Sequence, residues 1–290
     1  MERPDTLDQT AYPFASHYFS QPAGEQHYIV EGEGPPLLFV HGTPTWSFLW
    51  RNQIKALSNH YSCIAVDHLG FGLSAKPLHF SYSLQEHSQN LARLVNHLQL
   101  TEVTLVVHDF GGPIGLGWAV QNPEKVARII ILNSWMWPLT QEKRMMQASR
   151  FFGSAIGKFI YQQFKFSPQV LLPQAFYQKK KLTKKLHQQY LLPFQKKQDL
   201  LGTWHFAKAL RQESPFFEEI NRQKVFLKEK PALVLWGTED QLIPASFLEK
   251  WQEAFPQAEI KTIKAGHFLQ EEAPEEVTGK ISEFLKGTTL

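Results

Sequence analysis

Thr104-Leu105-Val106-Val107-His108-Asp109-Phe110-Gly111-Gly112 is the stretch that decides the fold. Its aliphatic and β-branched run lacks the polar alternation of a half-exposed strand, so it reads as a strand covered on both faces. It ends in a polar pair followed by glycines, the composition of a tight strand-to-helix turn that projects one side chain from the end of a sheet. Asp109 stands at that turn. The helix that follows presents unpaired backbone N–H groups and a positive dipole end, both of which favour an anion there.

Outward from this stretch the same pattern repeats. Pro36 to Val40, Tyr61 to Asp67 and Val126 to Asn133 are further apolar strand candidates, separated by helical segments. Such alternation implies a mostly parallel sheet flanked by helices, an α/β fold. The clearest helix opens at Ser83 with Glu86 three residues on, a capping box, and lines up Leu91, Leu94, Val95 and Leu98. From Met136 to Arg222 the strand signal disappears, and short helices rich in Phe, Tyr, Gln and Lys are punctuated by Pro168, Pro173, Pro193 and Pro215. This reads as an inserted helical cap over 136–222, with a core formed by 1–135 and 223–290. The alternation returns with strands Pro231 to Gly237 and Ala258 to Lys264. The helix between them carries Phe247, Leu248, Trp251 and Phe255, and a last one opens at Pro274 and stops near Gly287.

Composition narrows the class. With 43% hydrophobic, 13% aromatic and 20% charged residues, 290 residues form a globular enzyme-sized chain and not a disordered one. The single cysteine, Cys63, falls in a strand and reads as a packed small hydrophobe in a reducing compartment. The polar, acidic start from Met1 to Thr10 does not resemble a signal peptide, and no apolar run is long enough to span a bilayer. A cytoplasmic protein without a membrane partner is expected. Net charge is only +3, yet Leu139 to Lys224 holds sixteen Lys/Arg against five Asp/Glu. The Lys179, Lys180, Lys181, Lys184 and Lys185 run reads as a solvated helix face, so no nucleic-acid partner is inferred.

In open parallel sheets, ligands collect at the carboxyl ends of the strands. Four polar groups lie there: His41-Gly42-Thr43-Pro44, Asp109, Gly237-Thr238-Glu239-Asp240 and Gly266-His267-Phe268. Their order is nucleophile, acid, histidine, which an elbow-type triad requires. Asp109 is the expected nucleophile, His267 the base and Asp240 the orienting acid, with Glu239 as rival for that last role. Backbone N–H groups of Thr43 and Phe110 are the expected oxyanion hole.

His41 to Arg51, Asp67-His68-Leu69-Gly70-Phe71-Gly72-Leu73-Ser74, Val107 to Gly112 and Gly266 to Glu271 resemble the haloalkane dehalogenase family of the α/β-hydrolase fold. The resemblance implies attack by Asp109 on an sp³ carbon, an alkyl-enzyme ester, and its hydrolysis by water activated at His267. It implies a small-molecule substrate and no cofactor or metal. Some family members place the acid at the position of Asn133, which leaves Asp240 to serve here. The family usually has tryptophan directly after the nucleophile and often asparagine or glutamate after the His-Gly pair; Phe110 and Thr43 stand there instead. Trp46, Trp135, Trp137 and Trp204 are the substitute leaving-group donors, the last three as pocket candidates. An epoxide hydrolase would draw on Tyr161, Tyr177 and Tyr190, and related proteins decarboxylate β-lactones. A small-molecule receptor on a vestigial hydrolase fold is the reading from another class.

Overall fold

The computed structural model describes residues 4–287. The expectations about Met1 to Arg3 and the last three residues of the 223–290 core segment lie outside them. Strands β1 (His17–Gln21), β2 (Gly24–Glu31), β3 (Pro36–Val40), β4 (Ser62–Val66), β5 (Val103–Asp109), β6 (Val126–Ser134), β7 (Ala232–Gly237) and β8 (Glu259–Ile263) form one sheet in the order β1-β2-β4-β3-β5-β6-β7-β8. Pairing is antiparallel for β1–β2 and β2–β4, and parallel from β4 onward.

Helices α1 (Arg51–Leu57), α2 (Leu84–His97) and α3 (Gly111–Gln121) lie among the first six strands. Between β6 and β7 come α4 (Lys143–Phe152), α5 (Ala155–Gln163), α6 (Leu172–Ala175), α7 (Lys184–Leu191), α8 (Leu201–Gln212) and α9 (Ser214–Gln223). Helices α10 (Phe247–Ala254), α11 (Leu269–Glu272) and α12 (Pro274–Gly287) complete the chain.

The apolar runs of the central strands are explained by cover on both faces. On β3, Leu38 and Val40 join the cluster containing Leu91 of α2, Ile114 of α3 and Trp251 of α10. Leu37 and Phe39 point the other way, into the cluster with Ile54 of α1 and Ile281 of α12. The period of two along each strand thus feeds two cores at once.

Two details depart from the sequence reading. The antiparallel pair β1–β2 had no clear signal, because β1 is an edge strand with mixed exposure and polar residues. At α2 the Ser83 side chain accepts from Glu86 N–H, but the Glu86 carboxylate accepts from the Ser81 hydroxyl, so only half of the capping box forms. The chain crosses from one side of β3 to the other between β4 and β5, which brings the ends of β3 and β5 together at the switch point of the sheet.

A buried ionic group ties the core to the helices inserted before β7. The Arg51 guanidinium meets both carboxylate oxygens of Glu271, at 2.5 and 2.7 Å, and Tyr190 of α7 donates its hydroxyl to the same carboxylate. Burial works against the Arg51 cation, and the Glu271 charge more than reverses that, raising its pKa. Arg51→Met is expected to cost about 3–5 kcal/mol in urea denaturation, since it leaves Glu271 buried without its counter-charge. Adding Glu271→Met should recover part of that loss; a double variant as unstable as the sum of two single losses would deny the coupling.

Candidate active site

Asp109 ends β5 in the left-handed region, with φ +52°, a conformation that an L residue keeps only where its surroundings enforce it. The enforcement comes from close backbone approach. A Cβ on Gly42 would stand 2.1 Å from Asp109 Oδ1, and one on Gly111 would stand 2.1 Å from the Val40 carbonyl oxygen. Only glycine fits at either place. The Thr43 N–H donates to Asp109 Oδ1 at 2.8 Å, while the Ser134 hydroxyl donates to the Asp109 carbonyl at 2.6 Å. Phe110 follows as the N-cap of α3.

His267 lies just past β8, its side chain 1% exposed. Its Nδ1 is 2.8 Å from Asp240 Oδ2, so Nδ1–H donates to that carboxylate. Its Nε2 faces Asp109 Oδ2 at 3.4 Å, without the alignment of a hydrogen bond. Burial would lower the imidazole pKa, but the nearby charges of Asp240 and Asp109, with the hydrogen bond to Asp240, push it up to about 10.

Asp240, not Glu239, is the histidine's partner. Its Oδ1 accepts the Leu242 and Ile243 N–H groups at 2.7 and 3.1 Å. Its Oδ2 also accepts Asn133 Nδ2 at 2.8 Å, and Asn133 Oδ1 accepts the Gly237 N–H. Asn133 therefore sits in the site as a bridge between β6 and the loop after β7. His108 donates Nε2–H to the His267 carbonyl; burial, with the neighbouring His267, lowers it to about 3 and keeps it neutral. His41 accepts the His68 N–H at Nε2 and donates from Nδ1 to the Gly42 carbonyl, bracing the loop after β3.

The sequence offered no sign of Glu272. Its carboxylate accepts N–H groups from Gly266, Tyr177 and Gln178, and the His267 N–H donates to the Ala175 carbonyl. The histidine loop is thereby fastened to the segment after α6. A glutamate on a short helix looks like an ordinary surface residue until that segment is placed against it.

Asp109 opens onto a cavity of about 200 Å³ whose wall is almost entirely apolar, including Phe110, Met145, Phe152, Leu210 and Phe268. Of the tryptophan candidates, Trp135 lines it and its indole N–H is unpartnered. Trp137 packs instead against Phe247 and Trp251. Trp204 donates its N–H to the Phe152 carbonyl, and Trp46 donates to Gln189. None of these three lines the cavity. Among the phenols, Tyr161 lines it, Tyr190 is engaged by Glu271 and Tyr177 is exposed. The Thr43 hydroxyl also lines the cavity and has no partner. Among the described residues no three His, Cys, Asp or Glu side chains are grouped to hold a metal, and no helix is long and apolar enough to cross a membrane.

An acidic side chain on a glycine-flanked elbow, with a histidine and a second acid at later strand ends, is the arrangement of an α/β-hydrolase. The family model described as alpha/beta hydrolase fold matches residues 35–274. Haloalkane dehalogenase 2 of Mycobacterium tuberculosis is 32% identical over 281 residues, covering 96% of this chain and 97% of that protein. The cis-3-alkyl-4-alkyloxetan-2-one decarboxylase of Shewanella oneidensis is also 32% identical, over 96% of this chain and 91% of its own. The crystal structure of haloalkane dehalogenase DatA from Agrobacterium tumefaciens superposes with a TM-score of 0.86 at 25% identity, over 97% of this chain and 99% of that one. The chain belongs to the α/β-hydrolase fold family and, within it, to the haloalkane dehalogenase family of enzymes.

Folding raises the His267 pKa from 6.5 to about 10, so the stabilisation it contributes is full below about pH 6.5 and is lost as pH rises through about 10. In ¹⁵N NMR the His267 ring should stay doubly protonated to well above neutral pH. In Asp109→Asn it should lose that proton at clearly lower pH. An unchanged titration would deny that the Asp109 charge acts on the ring.

Proposed function

We propose that this chain is a haloalkane dehalogenase-like hydrolase that works through an ester on Asp109, with the helices of 136–222 serving as a cap over a core of 1–135 and 223–290. The observation that carries this reading is the Asp109 carboxylate at the floor of an apolar cavity, held by Thr43 N–H on Oδ1 and facing His267 Nε2 with Oδ2. A carboxylate needs no base to displace a leaving group from an sp³ carbon, and Oδ2 is the free oxygen for that attack. Esterification then removes the Asp109 charge. The imidazole loses one of its two anionic neighbours, its proton affinity falls, the imidazolium releases its Nε2 proton to solvent, and the neutral His267 so formed takes a proton from the water that attacks the ester carbonyl. Asp240, steadied by Asn133, keeps the proton on Nδ1 and stabilises the imidazolium. Backbone N–H groups of Thr43 and Phe110 receive the tetrahedral oxyanion. The Trp135 indole N–H and the Thr43 hydroxyl, both buried and unpartnered, are the donors for the departing group.

Phe110 supports a second reading. With no indole beside the nucleophile, the site suits an oxygen leaving group as well, and the Shewanella relative is named for acting on an oxetan-2-one. Attack by Asp109 on the ring sp³ carbon that bears oxygen would break that C–O bond and leave an ester on Asp109 with a carboxylate one carbon further on; loss of carbon dioxide would then form a C=C bond as the ester C–O bond breaks and returns the Asp109 carboxylate. Parallel assays of halide release and carbon dioxide release separate the two.

His267→Gln should retain attack by Asp109 and lose ester hydrolysis, so a reactive bromoalkane leaves its alkyl group on Asp109. Mass spectrometry of the digested protein reads the outcome; an adduct on another side chain, or free alcohol at the wild-type rate, overturns the mechanism. Phe110→Trp should raise bromide release from 1-bromobutane on the order of 10- to 100-fold, because a donor to a developing charge is worth roughly 1.5–3 kcal/mol. Phe110 packs 4.8 Å from Phe206 and 5.0 Å from Trp135, so overpacking of about 1–3 kcal/mol should appear in the melting temperature. A stable variant with no gain assigns the leaving-group contact to other donors.

A further inference from the structure

The outer face of α4 and α5 exposes large apolar side chains that nothing in the catalytic reading uses. Phe151 is 52% exposed, Ile156 65%, and Phe159 and Phe164 59% each. Ile156 and Phe159 share one face of α5, and the Phe164 ring lies 6.4 Å from that of Phe159. A monomer rarely leaves so much apolar surface together without a partner for it.

The charge around this face is mostly positive, with Glu142 at the N-cap of α4 lying 3.7 Å from Lys250. From Lys143 to Gln212 the sequence holds fourteen Lys and Arg and a single acidic residue, Asp199, which is buried with its carboxylate accepting the Lys196 N–H. Lys143, Arg144 and Arg150 are exposed on α4, Arg150 in the same turn as Phe151 and the other two about two turns before it. Lys158 and Lys208 hold their ammonium groups 4.9 and 4.5 Å from the Trp204 ring centre, on the adjoining side of α5 and α8. Exposed aromatic and aliphatic side chains set among cations, with a tryptophan under two lysines, have the composition of a helix that lies in the boundary of an anionic bilayer.

We propose that the α4–α5 corner is a docking surface for anionic lipid, seating Phe151, Ile156, Phe159 and Phe164 among acyl chains and the surrounding lysines and arginines among headgroups. The sequence reading excluded a membrane because no run spans one; that argument does not touch helices lying in the interface plane. An acidic protein partner would match the charge, but charge alone gives no reason for four large exposed apolar side chains on the same corner. The same helices line the cavity. Phe151 packs on Phe152, which faces the cavity beside Tyr161. A lipid-dissolved substrate would therefore meet the enzyme at the cavity wall, a consequence that rests on the hydrolase reading, whereas the docking itself does not.

Co-sedimentation of the full chain with phosphatidylcholine vesicles, with and without an equal part of phosphatidylglycerol, tests this without measuring turnover. Wild type should bind the anionic vesicles, bind the neutral ones at least about 10-fold more weakly, and be released by salt. Phe159→Ser with Phe164→Ser, and separately Arg144→Glu with Arg150→Glu, should each weaken binding about 10-fold or more while circular dichroism stays that of wild type. Absence of binding to anionic vesicles overturns the proposal, as does equal binding to both kinds or binding by the folded variants at wild-type strength. A wild-type dimer that Phe159→Ser with Phe164→Ser turns into a monomer, with vesicle binding unchanged, assigns the face to a second copy of the chain and also overturns it.

Discussion

One contact governs the geometry of this site: the Thr43 N–H on the carboxylate of Asp109, made across the gap between the ends of β3 and β5. For that contact to form, two strand ends must approach until no Cβ fits between them, which is why glycine stands at 42 and 111. The left-handed backbone of Asp109 is held by the same approach. It is supported from behind, where Ser134 bonds the Asp109 carbonyl and Trp251 bonds the Ser134 carbonyl in turn. The strain at the elbow is therefore spread over β3, β5, β6 and α10.

The histidine side of the site is built differently. His267 sits on a loop with no sheet partners, and its backbone is held by His108 on one side and by the Ala175 carbonyl on the other. Glu272 adds three backbone N–H contacts that link the loop to residues 177 and 178. The segment after α6 is thus part of the frame that aims the imidazole. The helices before β7 are tied to the histidine loop at this corner.

The central strands were legible because burial on both faces leaves a continuous apolar run, and the site positions were legible because polar residues directly after such runs have few structural reasons to be there. The two antiparallel strands at the sheet edge escaped, since β1 is polar and half-exposed and β2 mixes both patterns. Trp137 and Trp204 are expected as pocket residues because the resemblance calls for a donor to the leaving group, but which way an indole points depends on packing set by residues far away in the chain. Glu272 and Arg51 escaped for the same reason: their partners are 94 and 220 positions distant. The capping box at Ser83 shows a local signal half overruled, because Ser81 competes for the Glu86 carboxylate.

Asn133 has an evolutionary consequence. Its amide N–H donates to Asp240 and its oxygen accepts the Gly237 N–H, so it holds the end of β7 and the loop after it with two different atoms. A carboxylate in its place would keep the acceptor and lose the donor, and would set a second negative charge about 3 Å from Asp240. On the proposed triad, moving the acid from Asp240 to position 133 requires a double replacement, or an intermediate with two carboxylates sharing one proton. Positions 133 and 240 are therefore expected to be coupled, each constraining which side chain the other can accept.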